Sequence, residues 1–121
     1  MHELSLSQSI GRIASRAAAG RTVVTVEVDV GELRQVVPET LERCWALVTE
    51  GTPLDGSRLA IRSLAALVEC RECGARTGLA QAPLIRCGAC GSPAVDILSG
   101  EEFLVRSLEV EDSDGAFPPP P

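Results

Sequence analysis

Cys70-Arg-Glu-Cys73 and Cys87-Gly-Ala-Cys90 form two C-x-x-C pairs with thirteen residues between them. Two cysteines three positions apart in a tight turn aim both sulfurs at one point. Two such turns facing each other complete a tetrahedron of thiolates, the arrangement zinc takes in closed structural sites. Gly74 and Gly91 follow the second cysteine of each pair; a residue free to adopt positive φ there lets the chain turn back and point amide hydrogens at the sulfurs. Tetrahedral sulfur sites also suit iron, but rubredoxin-like carriers shield their metal with aromatic rings, and residues 69–98 contain none. With all four positions thiolate, no coordination site stays open to water, so the ion's role is structural and catalysis at it is not expected.

A second set of donors lies at the start of the chain. His2 is the only histidine and follows Met1 directly. A bulky second residue hinders removal of the initiating methionine, so Met1 is expected to persist. The Met1 amine, the His2 amide nitrogen and the His2 imidazole Nδ1 then follow one another along the chain, and binding through them closes two fused chelate rings. That arrangement is planar and suits nickel(II) or copper(II) rather than zinc; deprotonation of the amide makes it pH-dependent. Glu3 either donates an oxygen or stabilises the helix start. The bland reading, a solvated histidine, competes with the chelate.

No catalytic residue is assigned. A nucleophile needs a positioned base, most often histidine, and a terminal histidine is hard to hold in fixed geometry. Glu101-Glu102 and Glu111-Asp112 read as solvated acids rather than an acid–base dyad. There is no P-loop and no dinucleotide fingerprint. The fifth cysteine, Cys44, sits beside Trp45 on an apolar stripe and reads as a small buried hydrophobe.

The elements that must position these donors follow from periodicity. Leu6, Ile10, Ile13 and Ala17 recur at helical spacing over residues 4–19, with Gly20 as a stop. Thr22 to Val30 alternates, with Val24, Val26, Val28 and Val30 on one face and Thr25, Glu27 and Asp29 on the other, which predicts a half-buried strand. Pro38 and Glu39 open a second helix with stripe Leu41, Cys44, Trp45 and Val48. Strands follow over residues 58–67 and 102–110, the last with weak alternation because Phe103, Leu104 and Val105 are all apolar. The fold class is therefore α/β: two helices on a three-stranded sheet with an inserted four-cysteine zinc-knuckle domain. Residues 1–68 and 101–112 make the α/β domain and 69–100 the insert. Residues 113–121 end in four prolines and read as a disordered, polyproline-like tail, solvated or used for docking.

Composition limits the partners. The net charge is −6, from 17 acidic against 11 basic side chains, without the cationic cluster that attracts nucleic acid or an anionic membrane. Arg71, Arg76 and Arg86 in the insert are balanced by Glu69, Glu72 and Asp96. Neither a membrane span nor a signal peptide is recognisable, so the chain is expected in the cytoplasm, where thiols stay reduced and cysteines serve metals.

Met1-His2-Glu3, Val30-Gly31-Glu32-Leu33, Val37-Pro38-Glu39 and the paired C-x-x-C motifs occur in one order. In that combination the sequence resembles the HypA/HybF family of hydrogenase nickel-incorporation proteins, from Met1 to about Glu111. The resemblance implies nickel(II) as cargo, bound mainly through the position of His2, and zinc held by Cys70, Cys73, Cys87 and Cys90. It also implies a nickel-handling GTPase and the precursor of a [NiFe]-hydrogenase large subunit as partners, with urease served by some members. Two departures stand out. Some members use an acid before the second helix at the nickel site, where this chain has Gln35-Val36-Val37-Pro38-Glu39, leaving Glu39 unassigned. The histidines that flank the cysteines in some relatives are missing. The rival reading is a zinc-ribbon adaptor for protein or nucleic acid that never handles nickel.

Overall fold

The computed structural model describes residues 2–79 and 84–111. The Met1 amine and the proline-ended tail lie outside the described residues. The order is α1 (His2–Ala18), β1 (Val23–Gly31), a 3-10 turn (Glu32–Arg34), α2 (Pro38–Thr49), β2 (Arg58–Leu64), β3 (Leu67–Cys70), β4 (Arg76–Gly78), β5 (Val95–Ser99) and β6 (Phe103–Val110). Two helices accompany a sheet of order β2-β1-β6, and a second small sheet of order β4-β3-β5 carries the cysteine segment. The α/β class with an inserted four-cysteine knuckle is what the sequence implies. The second sheet is additional, because strands of three to five residues are too short to show a period.

The chain folds as two compact units. The first comprises residues up to Val28, Val36–Ile61 and those from Leu104. In it α1 and α2 run parallel with a constant offset. The Ser7 hydroxyl donates to the Leu41 carbonyl at 3.3 Å, and Glu3 meets Val37. Gly11 lies against the Trp45 ring, which a Cβ would approach to 3.9 Å. Each pair is 34 residues apart. The buried face of α1 is Ser7, Ile10, Ala14 and Ala18, one step around from the expected stripe, so that Ile13 is 48% exposed. Small residues at 7, 11 and 14 let α2 approach, and the buried Ser7 hydroxyl finds its partner in a carbonyl. On α2, Leu41, Cys44 and Trp45 are buried, as the sequence indicates for Cys44. Positive φ at Ala19 and Gly20 ends α1.

On β1 the expected two-faced pattern fails. Thr25 and Asp29 are each only 5% exposed, whereas Val24 is 39% exposed. The strand is central in its sheet, and side chains from its neighbours fold over the polar face. Arg62 grips Asp29 in bidentate fashion, at 3.0 and 2.8 Å. Glu27 receives both Arg106 and Ser107 of β6. Burial along β6 also breaks its alternation there, with Arg106 and Ser107 both exposed.

The second unit comprises Asp29–Gln35 and Arg62–Phe103. Its core is Ala66, Val68 and Leu79, with Leu33 and Val95 packed against it. The segment after β1 is therefore part of this unit: Leu33 N donates to the Gly100 carbonyl at 2.8 Å and Gly31 N to Glu102 O at 2.7 Å. The approach is close enough to require glycine, since a Cβ on Gly31 would stand 2.1 Å from the Gly100 carbonyl carbon and one on Gly100 2.6 Å from Ala66 Cα.

Candidate metal centre

β3 delivers Cys70 at its end, and the chain then reverses. Cys70 N donates to Ala75 O at 2.9 Å and Gly74 N to Cys70 O at 3.0 Å, with Gly74 at φ +79°. The second turn repeats the pattern: Cys87 N to Ser92 O at 2.9 Å, Gly91 N to Cys87 O at 3.0 Å, and Gly91 at φ +77°. The two glycines occupy the left-handed conformation their place after the cysteines implies. Within each turn two amides point at the first sulfur. Glu72 N and Cys73 N lie 3.3 and 3.4 Å from Cys70 Sγ, and Ala89 N and Cys90 N lie 3.3 and 3.4 Å from Cys87 Sγ.

The four sulfurs all lie within 4.8 Å of one another. Cys70 Sγ to Cys90 Sγ and Cys73 Sγ to Cys87 Sγ are each 3.6 Å. A tetrahedron with zinc–sulfur bonds of about 2.3 Å has sulfur–sulfur edges of about 3.8 Å. The donor set therefore fits a zinc-sized ion with little movement. Thiolates need charge balance, and the site divides them unequally. Cys70 and Cys87 are buried, Cys73 and Cys90 exposed. The amides of Cys90 and Ala89 hold the Cys87 thiol down to about 6, and those of Cys73 and Glu72 likewise lower Cys70. For Cys90 the Ser92 amide pulls downward, but the Cys70 sulfur and burial win and push it up to about 12. A dication replaces protons at all four positions and removes this competition.

Three contacts outside the turns support the site. Gly88 N donates to Thr77 Oγ1 at 3.0 Å, tying the second turn to β4. Arg71 pairs with Asp96 at 2.9 Å and Arg76 with Glu69 at 3.3 Å. These two arginines are thus neutralised rather than held out as an anion-binding patch.

At the start of the chain His2 is the first described residue of α1 and is exposed. Glu3 Oε2 accepts the Val37 N–H at 3.0 Å. That bond fills a structural need. Val37 is the N-cap of α2 and has no side-chain oxygen, and its helix receives no side-chain cap of its own. A carboxylate from α1 satisfies the amide at the positive end of α2's dipole. The Val37 amide in turn holds the Glu3 carboxyl below its usual range. The signal was available in the sequence, since an apolar N-cap before Pro38 calls for an acceptor from elsewhere. Glu39 is exposed in the first turn of α2.

Residues 1–110 match a family model described as hydrogenase/urease nickel incorporation, metallochaperone, hypA. The hydrogenase maturation factor HypA of Geotalea uraniireducens is 46% identical over 111 residues, which are 92% of this chain and 100% of the relative. The protein of that name from a Nostoc species is 38% identical over 112 residues, 93% of this chain and 97% of its own. Among solved structures, the Ni metallochaperone HypA from Helicobacter pylori superposes with a TM-score of 0.64 at 23% identity, covering 91% of this chain and 97% of that one. At that identity the likeness speaks for the fold.

Proposed function

The chain belongs to the HypA family of hydrogenase/urease nickel-incorporation metallochaperones, and from that premise we propose that it carries one nickel(II) ion at its N-terminus and one structural zinc ion in the cysteine knuckle. Nickel is held by the His2 imidazole and the Met1 amine, with the amide nitrogen between them, and Cys70, Cys73, Cys87 and Cys90 hold zinc. Residues 1–68 and 101–112 form the nickel-binding part and 69–100 the zinc-binding part.

The observation that carries the nickel reading is the exposed His2 beside a Glu3 that is already engaged. Glu3 is pinned through Oε2 to the Val37 amide, so its first task is to fix the start of α1 against the start of α2. His2, one residue earlier, stands at a fixed exit with its ring in solvent. Such a site suits cargo, because a receiving protein can replace imidazole, amide and amine one at a time without unfolding the donor. The receivers are a nickel-handling GTPase and the large-subunit precursor of a [NiFe]-hydrogenase, or a urease, in the cytoplasm. Bound zinc supplies no chemistry beyond fixing the two knuckles, since four thiolates fill its coordination.

The zinc-ribbon adaptor remains the rival, and it is disfavoured by the pairing of Arg71 and Arg76 with carboxylates. Nickel titration of the native chain beside His2→Ala separates the two readings. One equivalent bound by the native chain and none by the variant supports delivery; equal binding by both removes it.

A further inference from the structure

The two cysteine turns match almost bond for bond. In each, the N–H of the first cysteine donates to a carbonyl five residues on, that of Ala75 or Ser92. The amide of Gly74 or Gly91 returns to that cysteine's own carbonyl. The second and third amides after each first cysteine face its sulfur. The amide directly after it points elsewhere, and here the turns differ. Arg71 N donates to the Ala94 carbonyl at 2.9 Å, whereas Gly88 N donates to the Thr77 hydroxyl at 3.0 Å. A main-chain carbonyl holds one turn, and a single replaceable side chain holds the other.

Thr77 is carried by the sheet rather than by a loop. It lies on β4 opposite Val68 of β3, and Val68 is fully buried, so the hydroxyl is presented from a rigid element. The second turn comes close to it: a Cβ on Gly88 would stand 3.1 Å from Thr77 Cγ2 and 3.3 Å from Thr77 Oγ1. That approach accounts for glycine between Cys87 and Ala89, at a position where the first turn carries Arg71. The chain enters the second turn through Leu84, Ile85 and Arg86, all exposed. Among the described residues, the remaining hydrogen bonds of residues 87–91 stay within the turn or join sulfurs.

We infer that Thr77 is a positioning residue for the zinc site, its hydroxyl setting the second turn so that Cys87 and Cys90 face Cys70 and Cys73 before metal arrives. Given zinc as the ion of the knuckle, on which this rests, a turn already in place leaves less chain to order on binding and so raises affinity. Without the hydroxyl, the second pair of thiolates must be gathered at the moment of binding.

Thr77→Val, Thr77→Ala and Thr77→Ser in the full chain test it, by zinc competition against a chelator and by amide hydrogen exchange of the zinc-loaded proteins. Valine keeps the shape, alanine leaves room, and only serine keeps the hydroxyl. The net worth of one hydrogen bond corresponds to about 3- to 10-fold in an equilibrium. Zinc affinity should fall by that factor in Thr77→Val and Thr77→Ala and stay near native in Thr77→Ser. Exchange at Gly88 should quicken in the same two variants, while Arg71, whose acceptor is main chain, stays as slow as in the native protein. Faster exchange at Arg71 and Gly88 alike would overturn the inference, by showing general loosening of the knuckle. Native zinc affinity in all three variants would also overturn it. A native chain that takes up no zinc would overturn the zinc reading itself, and the inference with it.

Discussion

The Glu3 carboxylate accepts the Val37 amide at 3.0 Å, joining the first turn of one helix to the N-cap of another 34 residues away. This bond caps a helix that cannot cap itself and fixes the exit of the residue proposed to hold nickel. Its loss should therefore alter both stability and nickel binding, by different routes.

Glu3→Gln tests the electrostatic part. The folded carboxyl titrates below its ordinary 4.5 because of the Val37 amide, so its stabilising contribution is complete above 4.5 and disappears as the pH falls through the lowered folded value. Thermal melts should show the native chain losing stability more steeply than Glu3→Gln across that acid window. Parallel curves would show that the carboxylate contributes nothing.

Zinc should bind one per chain and release protons, since Cys73 and Cys90 are held as thiols above their ordinary value of 9.0. Apparent zinc affinity is therefore expected to fall as the pH is lowered. Chelation should open residues 69–98 to proteases, and Cys87→Ser should do so without chelator. Unchanged proteolysis of this region after complete metal removal would contradict a structural role.

At the Gly31–Gly100 crossing, Gly100→Ala combines φ +112° with a Cβ 2.6 Å from Ala66 Cα. Overpacking and left-handed strain together should cost about 3 kcal/mol or more. Gly20→Ala, at φ +89° with nothing within 4 Å, should cost only about 1–2 kcal/mol. Denaturant melts giving the two variants equal stability would refute the close packing.

Asp29 is buried and held bidentately by Arg62. Removing the guanidinium in Arg62→Ala strands much of the carboxylate's hydrogen bonding and should cost about 1–3 kcal/mol, with the deficit shrinking in Asp29→Asn/Arg62→Ala. A single variant as stable as the native chain would show that solvent replaces the arginine fully.

The knuckles were legible in the sequence because their geometry is local. Cys70 to Gly74 and Cys87 to Gly91 each complete their turn within five residues, and the positive φ of both glycines follows from that. The opening of α2 at Pro38 was legible for the same reason. What escaped was set by distant partners. Asp29 is buried only because Arg62 from another strand covers it, and the face of α1 turns on Ser7 finding the Leu41 carbonyl. Leu33 follows β1 in sequence, yet it packs against the Ala66, Val68 and Leu79 cluster of the second unit. Arg106 and Ser107, neighbours on β6 that are both exposed, also meet one distant partner, Glu27. No pattern within β6 announces it.

The most direct test of nickel carriage is calorimetric titration of the untagged, zinc-loaded chain beside His2→Ala and a form with extra residues ahead of Met1. The native chain should take up one nickel(II) ion per molecule, with binding lost or weakened at least tenfold in both altered forms. Equal binding by all three, or none by the native chain, would contradict a terminal chelate of imidazole and amine.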